Sequence, residues 1–366
     1  MRKTLFALAI LAALAIAAIS PRPLSAQSSR LVVATGLDNP RGLAFGPDGA
    51  LYVAEAGRGG GGAPPCIPLA ANAALQTCYG ATGAITRISA LGDQRRIAVG
   101  LPSLAVASGI DAIGPADIDL GQGGVAYVTV GFGNNPALRA VFEAIGARFG
   151  RLVRVEPNGQ WTEVLDLSAF EAANNPDGNA VDSNPFGFRL LPGGAAYTDA
   201  GANALIGITP IGALSTLAVF PNRFVPFAGG TIPMQSVPTT VAEAPDGSLL
   251  VGELTGFPFP VGGARVYQVP RNGGPPVVVA TGFTNIIDIV ATRVGMGYVL
   301  EHDADAINAP GTAGRLIRVN ADGSQTVLTN ANLTKPGGVT VGPDGAIYVT
   351  NFSTSPGGGE VVRLTP

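Results

Sequence analysis

The side chains best suited to chemistry in this sequence carry oxygen and end a recurring apolar segment. They are Glu55, Asp199, Glu253, Glu301 and Asn351. Four of them are carboxylates and the fifth is an amide, and a ring of such groups suits Ca²⁺, which takes six to eight oxygen ligands. Two interpretations stay open: these residues bind Ca²⁺ as the cofactor, or they form a solvated channel lining and the protein has no cofactor.

A second set of polar residues is expected to share one face of the molecule with the first. Residues at the starts of neighbouring apolar segments are Arg41, Asp117, Asn184, Thr239, Asp288 and Lys335. His302 is the only histidine and directly follows Glu301, so it is a candidate general base; the alternative is an exposed loop histidine. Neither G-x-S-x-G nor H-E-x-x-H occurs, so the sequence specifies no serine nucleophile or zinc-protease motif.

Two further segments carry candidate ligand-binding residues. The stretch 174–187 is dense in Asn, Asp, Pro and Gly, and its Asp177, Asp182 and Asn184 could ligate a cation or a polyol. A rigid loop held by Asx turns is the alternative. The stretch 252–263 presents Phe257 and Phe259, which could stack on a planar ligand or instead pack between neighbouring loops.

The element that positions these residues is a sixfold repeat. NPRGLAFGPDGALYVAE at 39–55 returns as KPGGVTVGPDGAIYVTN at 335–351, with weaker copies at 114–130, 184–200, 237–253 and 285–301. Each copy predicts two strands joined by a tight turn, because Pro-Asp-Gly and Pro-Gly-Gly supply the fixed φ and the positive-φ residue that such turns need. The second strand of each copy is rich in β-branched and aromatic residues.

A second pair of strands follows the first five copies, as in GRLVRVE-PNG-QWTEVLDL at 150–167, whereas the sixth copy is followed by a single strand at 359–364. The segment Arg30 to Thr35 can supply the missing strand. The fold class is therefore an all-β, six-bladed β-propeller of four-stranded antiparallel blades, whose ring is closed by the N-terminal strand. An open β-sandwich or two domains would leave this displaced strand unexplained.

Loop lengths indicate which face of the disc is functional. The turns between first and second strands and between third and fourth strands are short, whereas the other connections include long segments at 56–82, 131–149, 168–183, 254–263 and 302–313. These connections share one face, and insertions on one face of a repeat protein usually mark the binding surface. A small molecule or a protein is the expected partner there.

The N-terminus has the form of a targeting segment. Residues 1–26 contain Arg2 and Lys3, an apolar run and small residues before Gln27, which predicts a signal peptide, a domain at 27–366 and a secreted or periplasmic location. An uncleaved anchor is the alternative; after cleavage no membrane span is expected. The net charge is −3 without a basic run, which argues against nucleic acid. Cys66 and Cys78 are expected to form a disulfide in an exported protein.

These segments together resemble the ScyD/ScyE family of exported propellers. The resemblance rests on 39–57, the Gly-rich loop with the two cysteines, 174–187 and 236–267, and it covers essentially the whole chain after the targeting segment. It implies an extracytoplasmic location and, for some members, an association with sunscreen-pigment genes. It supplies no catalytic residue.

Three functions remain open at this point. The first is a binding or scaffold propeller that uses the long-loop face. The second is a Ca²⁺-dependent hydrolase or lactonase, since the chain also resembles the six-bladed gluconolactonase group in fold. The third is an accessory role in a pigment pathway, which rests on the family association alone. The acidic ring favours the second function, and the absence of a catalytic motif favours the first.

Overall fold

The computed structural model describes residues 29–70, 72–293, 295–307, 311, 313–328 and 331–365. The predicted signal peptide at 1–26 lies outside these residues. The first strand, β1 (Ser29–Leu37), belongs to the last blade, and the first two blades then follow in chain order. Their strands are β2 (Pro40–Phe45), β3 (Leu51–Glu55), β4 (Cys66–Leu69), β5 (Asn72–Ile88), β6 (Gln94–Ala105), β7 (Pro115–Leu120), β8 (Ala126–Val130), β9 (Arg151–Val155) and β10 (Trp161–Asp166).

Blades three to six complete the ring. Their strands, with one additional hairpin, are β11 (Pro185–Leu191), β12 (Gly194–Asp199), β13 (Ala204–Ile208), β14 (Leu214–Val219), β15 (Arg223–Phe227), β16 (Gly230–Met234), β17 (Pro238–Glu243), β18 (Leu249–Glu253), β19 (Ala264–Val269), β20 (Val277–Phe283), β21 (Ile286–Thr292), β22 (Gly295–Glu301), β23 (Ala313–Val319), β24 (Gln325–Val327), β25 (Leu333–Thr334), β26 (Gly338–Val341), β27 (Ile347–Asn351) and β28 (Gly359–Thr365). Short α-helices lie at α1 (Ala140–Glu143) and α2 (Leu167–Asn174), with 3-10 turns at Gln122–Gly124 and Pro136–Arg139.

The described strands form six antiparallel sheets of four blade strands each, to which β4 and β25 add short edges. The innermost strands β2, β7, β11, β17, β21 and β26 each contact the next one, and β26 contacts β2, so the ring is closed. The last sheet has the order β1-β28-β27-β26, with Arg30 opposite Leu364 and Thr35 opposite Glu360. The predicted closure by the N-terminal strand is confirmed.

The aspartate and the last glycine of the repeated Gly-Pro-Asp-Gly sequence determine the conformation of the turn. Asp48 Oδ1 accepts the Ala50 amide at 3.1 Å, and Asp344 Oδ1 accepts the Ala346 amide at the same distance. The intervening Gly49 and Gly345 have φ of 72° and 75°, a left-handed conformation that costs glycine nothing. The phrase therefore recurs because its geometry makes the hairpin between the first two strands of a blade.

A second glycine in the repeat allows the inner strands to pack closely around the central channel, which we call the hub. A Cβ on Gly187 would lie 2.7 Å from both the carbonyl oxygen of Thr239 and the Cα of Thr240 on the neighbouring blade, and a Cβ on Gly42 would lie 2.8 Å from the Cα of Asp117. The inner strands can approach this closely only without side chains at these positions. This is the physical reason for the Pro-Arg-Gly and Pro-Phe-Gly triplets at the starts of β2 and β11.

Apolar side chains fill the spaces between blades. One such cluster joins the first two blades and includes Tyr52, Ile85, Val128, Phe142 and Phe149, all buried. Phe142 comes from α1, so the long connection 131–149 contributes to the core as well as to the surface. The predicted disulfide is confirmed: Cys66 and Cys78 are bonded and pair across β4 and β5. In the described ranges no helix is both long and apolar enough to cross a membrane.

Candidate functional site

The predicted metal ligands are each bound to polar partners close to their own strand ends. Each of three buried carboxylates pairs with an arginine: Glu55 with Arg96, Glu253 with Arg223 and Glu301 with Arg315. Each also accepts a hydrogen bond from the connection that enters its blade, namely from the Asp38 amide at 2.7 Å, the Ser236 hydroxyl at 2.7 Å and the Thr284 amide at 2.7 Å. These carboxylates therefore fasten each blade to the chain that enters it.

The other two members of the predicted ring have the same fastening role. Asp199 accepts the Asn184 amide at 2.6 Å and the Ser183 hydroxyl at 2.6 Å. Asn351 accepts the Thr334 amide at 2.7 Å and donates to Glu360. In the part of the chain that the structure describes, no three Asp, Glu, His or Cys side chains group in a way that could hold a metal ion. The expected five-residue Ca²⁺ ring is not assembled, because salt bridges and backbone amides already occupy its oxygens.

A large cavity opens instead at the mouth of the channel on the long-loop face. Its volume is about 870 Å³, which falls within the range of small-molecule sites. Its lining combines charged, hydroxyl, aliphatic and aromatic side chains from several blades: Ile110, Asp111, Phe257, Phe259, His302, Ile307, Lys335, Thr354 and Ser355. The predicted ligand-face residues His302, Phe257 and Phe259 are thus brought together.

His302 is the buried titratable group of this cavity, with 7% of its surface exposed. Its Nδ1 lies 2.8 Å from the carbonyl oxygen of Pro336, and since a carbonyl only accepts, Nδ1 carries the proton. Nε2 is then the unprotonated nitrogen, and it has no hydrogen-bond partner among the described residues. Burial lowers the pKa of His302 to about 4, with Arg41 and Lys335 adding to the effect. The imidazole is therefore neutral, with a free lone pair, at physiological pH.

Two ion pairs surround the histidine. Arg41 donates to Asp111 Oδ1 at 3.2 Å and to the carbonyl of Ala112 at 2.9 Å. The Lys335 ammonium pairs with the buried carboxylate of Asp303. Predicted as part of the ligand face, Arg41 acts here by orienting Asp111 at the cavity wall. Both ion pairs fix charged groups of opposite sign near the His302 side chain.

Phe257 and Phe259 of the 252–263 loop show features of both predicted arrangements, packing between loops and exposure to a ligand. Phe257 packs edge-on against Phe227, with ring centroids 4.8 Å apart, and lies 6.3 Å from Phe259. Phe227 comes from the β15–β16 hairpin. Phe257 is nevertheless half exposed and lines the cavity. The rings are packed between loops, and the same packing presents an apolar surface to a ligand.

The remaining predicted ligand-face residues lie outside the mouth cavity. Asp117 accepts the Phe188 amide at 2.7 Å and Asp288 accepts the Val339 amide at 2.7 Å, so each joins two neighbouring inner strands beside a channel cavity of about 100 Å³. Thr239 donates to the carbonyl of Ile286 at 2.7 Å. Burial raises the pKa of Asp288 to about 6. These residues hold the hub together.

The loop at 174–187 also contributes no side chain to the lining of the mouth cavity. Asn184 Oδ1 accepts the Phe132 amide at 3.1 Å, and Asp182 is partly buried near Glu171 of the helix α2. Sequence reasoning missed Asp111 and Thr354 as cavity residues. No spacing signal marks either one, because the blades that bring them to His302 are far apart along the chain.

Comparison with known proteins gives the same architecture at low sequence identity. A provisionally named gluconolactonase is 14% identical, covers 93% of this chain and 92% of its own, and has a TM-score of 0.53. A luciferin-regenerating enzyme is 9% identical over 93% and 95%, with a TM-score of 0.53. A streptogramin B lyase is 14% identical over 92% and 97%, with a TM-score of 0.49.

The chain is a β-propeller. At these identities the first two likenesses establish that fold and leave the activity open. No family model matches the chain, and no curated protein matches it.

Proposed function

We propose that the channel mouth on the long-loop face is the active site of a hydrolase for small esters or lactones, in which His302 is the general base. The observation that carries the proposal is the anchored tautomer of His302, a residue that lines a cavity of about 870 Å³. A base must be unprotonated and within reach of a water molecule or substrate. The hydrogen bond from Nδ1 to Pro336 meets the first condition, and the cavity meets the second.

The proposed reaction involves Nε2 of His302, a water oxygen, and the carbon and oxygen of the ester carbonyl. Nε2 of His302 takes a proton from water, the oxygen of that water attacks the ester carbon, and the carbonyl oxygen becomes negative. Lys335 lines the same cavity and is the cation proposed to stabilise that charge. Collapse of this intermediate breaks the carbon–oxygen bond, and the histidine returns its proton to the alkoxide. Electrostatic stabilisation of the negative oxygen is the larger contribution in such reactions.

The proposal replaces the Ca²⁺-dependent mechanism expected from the acidic ring. Glu55, Glu253 and Glu301 are each neutralised by an arginine, so they do not offer the open oxygens of a catalytic calcium site. On the sequence resemblance, we also propose that the protein is of the ScyD/ScyE type and acts outside the cytoplasm. A binding protein without activity is the competing function, and it needs the cavity but no base.

The test uses purified chain from Gln27 onward and a panel of γ-lactones, δ-lactones and aryl acetates, with acid release followed by a pH indicator in the presence of EDTA. We expect turnover of at least one compound class, and His302→Ala should lower kcat about 100-fold or more, the usual contribution of a general base. Asp322→Asn, at an exposed turn on the opposite face, is the matched control and should keep full activity.

Two results would contradict the proposal. An unchanged kcat in His302→Ala would show that His302 is not the general base. Tight binding of panel compounds by the wild type without turnover, unchanged in His302→Ala, would identify the cavity as a binding site only.

A further inference from the structure

Blade three differs from blades one, four and five in how its buried acids are neutralised. Arginine partners serve the carboxylates that end β3, β18 and β22. The corresponding carboxylate of blade three, Asp199, has no salt-bridge partner among the described residues, and neither do Glu171, Asp177 or Asp182 near it. Four acids are therefore gathered at one place on the long-loop face without a positive side chain.

Three oxygen-bearing groups in this cluster are buried and unused. Glu171 on α2 is 1% exposed, and neither of its carboxylate oxygens accepts a hydrogen bond of good geometry within the described ranges; the backbone amide of Asp182 is near enough only to oppose the rise of its pKa. Asp182 Oδ1 and Asn175 Oδ1 are also buried without a partner there. An unpaired buried polar group costs free energy, and an unpaired buried charge costs much more. Unused oxygens on three neighbouring side chains suit a positively charged ligand.

The local structure holds these oxygens in place. The helix α2 is capped at its start by Asp166, which accepts the Ala169 amide at 2.9 Å, and at its end by Asn175, whose φ is 39°. The Asn175 side-chain amide donates to the carbonyl of Asn179 at 2.9 Å, which leaves its own oxygen free. Gly201 allows close approach of the Asp182 segment, since a Cβ there would lie 2.7 Å from the Asp182 carbonyl. The loop is thus shaped before any ligand binds.

Asp177, like Asp199, is a member of the cluster whose two carboxylate oxygens are both used. Its Oδ2 accepts the side-chain amides of Asn179 at 2.7 Å and Asn203 at 2.8 Å, and its Oδ1 accepts the Asn179 amide at 2.9 Å. Asp177 therefore holds the loop together and leaves Glu171 and Asp182 as the carboxylates with open oxygens.

The charges of this cluster act on one another. Burial raises the pKa of Glu171 to about 7, and Asp199, Asp177 and Asp182 raise it further. Burial likewise raises the pKa of Asp182, helped by Asp177. A cation among these groups would reverse both effects, because it favours the ionised form of each neighbouring acid.

We propose that Glu171, Asn175 and Asp182 bind a Ca²⁺ ion at this loop, separate from the channel mouth. The ligands are oxygen only, two carboxylates and one amide, which is the mixture that Ca²⁺ accepts in flexible six- to eightfold coordination. The remaining ligands would be backbone carbonyls and water. The described residues contain no group of three or more Asp, Glu, His or Cys side chains that could hold a metal ion. The proposed site is compatible with this finding, because only two of its ligands are carboxylates. The site ties α2 and the 174–187 loop to blade three.

The experiment measures calcium binding and thermal stability on the same protein. After treatment with EGTA, titration calorimetry with CaCl₂ should show one site in the wild type, and millimolar Ca²⁺ should raise its Tm. Glu171→Gln keeps the shape of the side chain and removes its charge, and it should weaken calcium binding at least tenfold. Asp182→Asn should behave in the same way. Asp322→Asn is the matched control and should bind as the wild type does.

The order of thermal stability of the wild type and Glu171→Gln should also reverse when calcium is added. In EGTA, Glu171→Gln should be at least as stable as the wild type, because it removes a buried unpaired charge; in millimolar Ca²⁺ the wild type should have the higher Tm. Absence of binding at millimolar Ca²⁺, or equal binding by Glu171→Gln, would overturn the proposal and leave Glu171 as a buried protonated acid. A Tm that rises equally with Mg²⁺ and Na⁺ would overturn the assignment to calcium.

Discussion

Arg30 on the first strand forms an ion pair with Glu360 on the last strand. Arg30 also donates to the carbonyl of Ala331 at 3.1 Å, and Glu360 accepts the side-chain amide of Asn351 at 2.8 Å. One group of contacts therefore joins the first and last strands and the end of β27. Closure leaves no blade edge open within the ring, a common solution to the exposed edges of β-sheets.

The closing strand should contribute strongly to stability through Leu37. This side chain is fully buried and packs in a cluster with Leu43, Val53 and Val361. We expect Leu37→Ala to lower the free energy of unfolding by about 2–5 kcal/mol, the range for deletion of a buried leucine. Leu31→Ala, on the same strand but exposed, is the control and should change it by less than about 0.5 kcal/mol. Urea denaturation measures both, and equal midpoints would contradict a closed ring.

The hub should not tolerate a methyl group at Gly187. Its added Cβ would meet backbone atoms of Thr239 and Thr240, which cannot move as a flexible side chain can. Gly187→Ala is expected to lower the free energy of unfolding by about 1–3 kcal/mol, as overpacking does. Gly230→Ala, where the nearest atom would be 3.9 Å away, is the control. Unchanged stability of Gly187→Ala would mean that the inner strands are free to separate.

Much of the fold follows from the repeat, because each copy contains its own turn geometry. The aspartate and glycine of the turn, the hub glycine and the alternation of the strands are all local, so 39–55 and 335–351 predict the same hairpin. The β15–β16 hairpin and α2 were not predicted. The helix has only eight residues, too few for a clear helical period, and the hairpin falls outside the repeat.

The chemistry of the acidic ring could not be predicted for a different reason. The arginines that neutralise it occur at unequal places: Arg96 is on a fourth strand, Arg315 on a third strand and Arg223 on the extra hairpin. No fixed spacing from the carboxylate reveals them. The surroundings of His302 likewise come from separate blades, and only the three-dimensional arrangement shows that Nε2 is free.

The pair of Glu301 and Arg315 gives a test of the fastening role. Arg315→Ala leaves a buried carboxylate with only the Thr284 amide as a partner. Because Arg315 is partly exposed, we expect a loss of about 1–3 kcal/mol, typical of hydrogen bonds to charged groups. Adding Glu301→Gln should recover part of that loss by removing the charge. Arg318→Ala, exposed on the same strand, is the control. Additive effects in this double-mutant cycle would contradict the pairing.

The low pKa of His302 predicts a specific loss of stability in acid. In the folded protein the pKa is about 4, whereas in the unfolded chain it is about 6.5. Below pH 6.5 the unfolded chain binds a proton that the folded chain does not, so stability is complete above pH 6.5 and falls as pH approaches 4. The 2.5-unit difference corresponds to about 3 kcal/mol at most.

His302→Gln should remove this part of the pH dependence. Other groups also titrate between pH 4 and 7, including Asp288, so the informative quantity is the difference between the two proteins. Urea midpoints at pH 7 and pH 4.5 should differ more for the wild type than for the variant. Parallel losses in both proteins would show that His302 is protonated equally in the folded and unfolded states. Its Nε2 could then not be the neutral, desolvated base beside Lys335 that the proposed reaction requires.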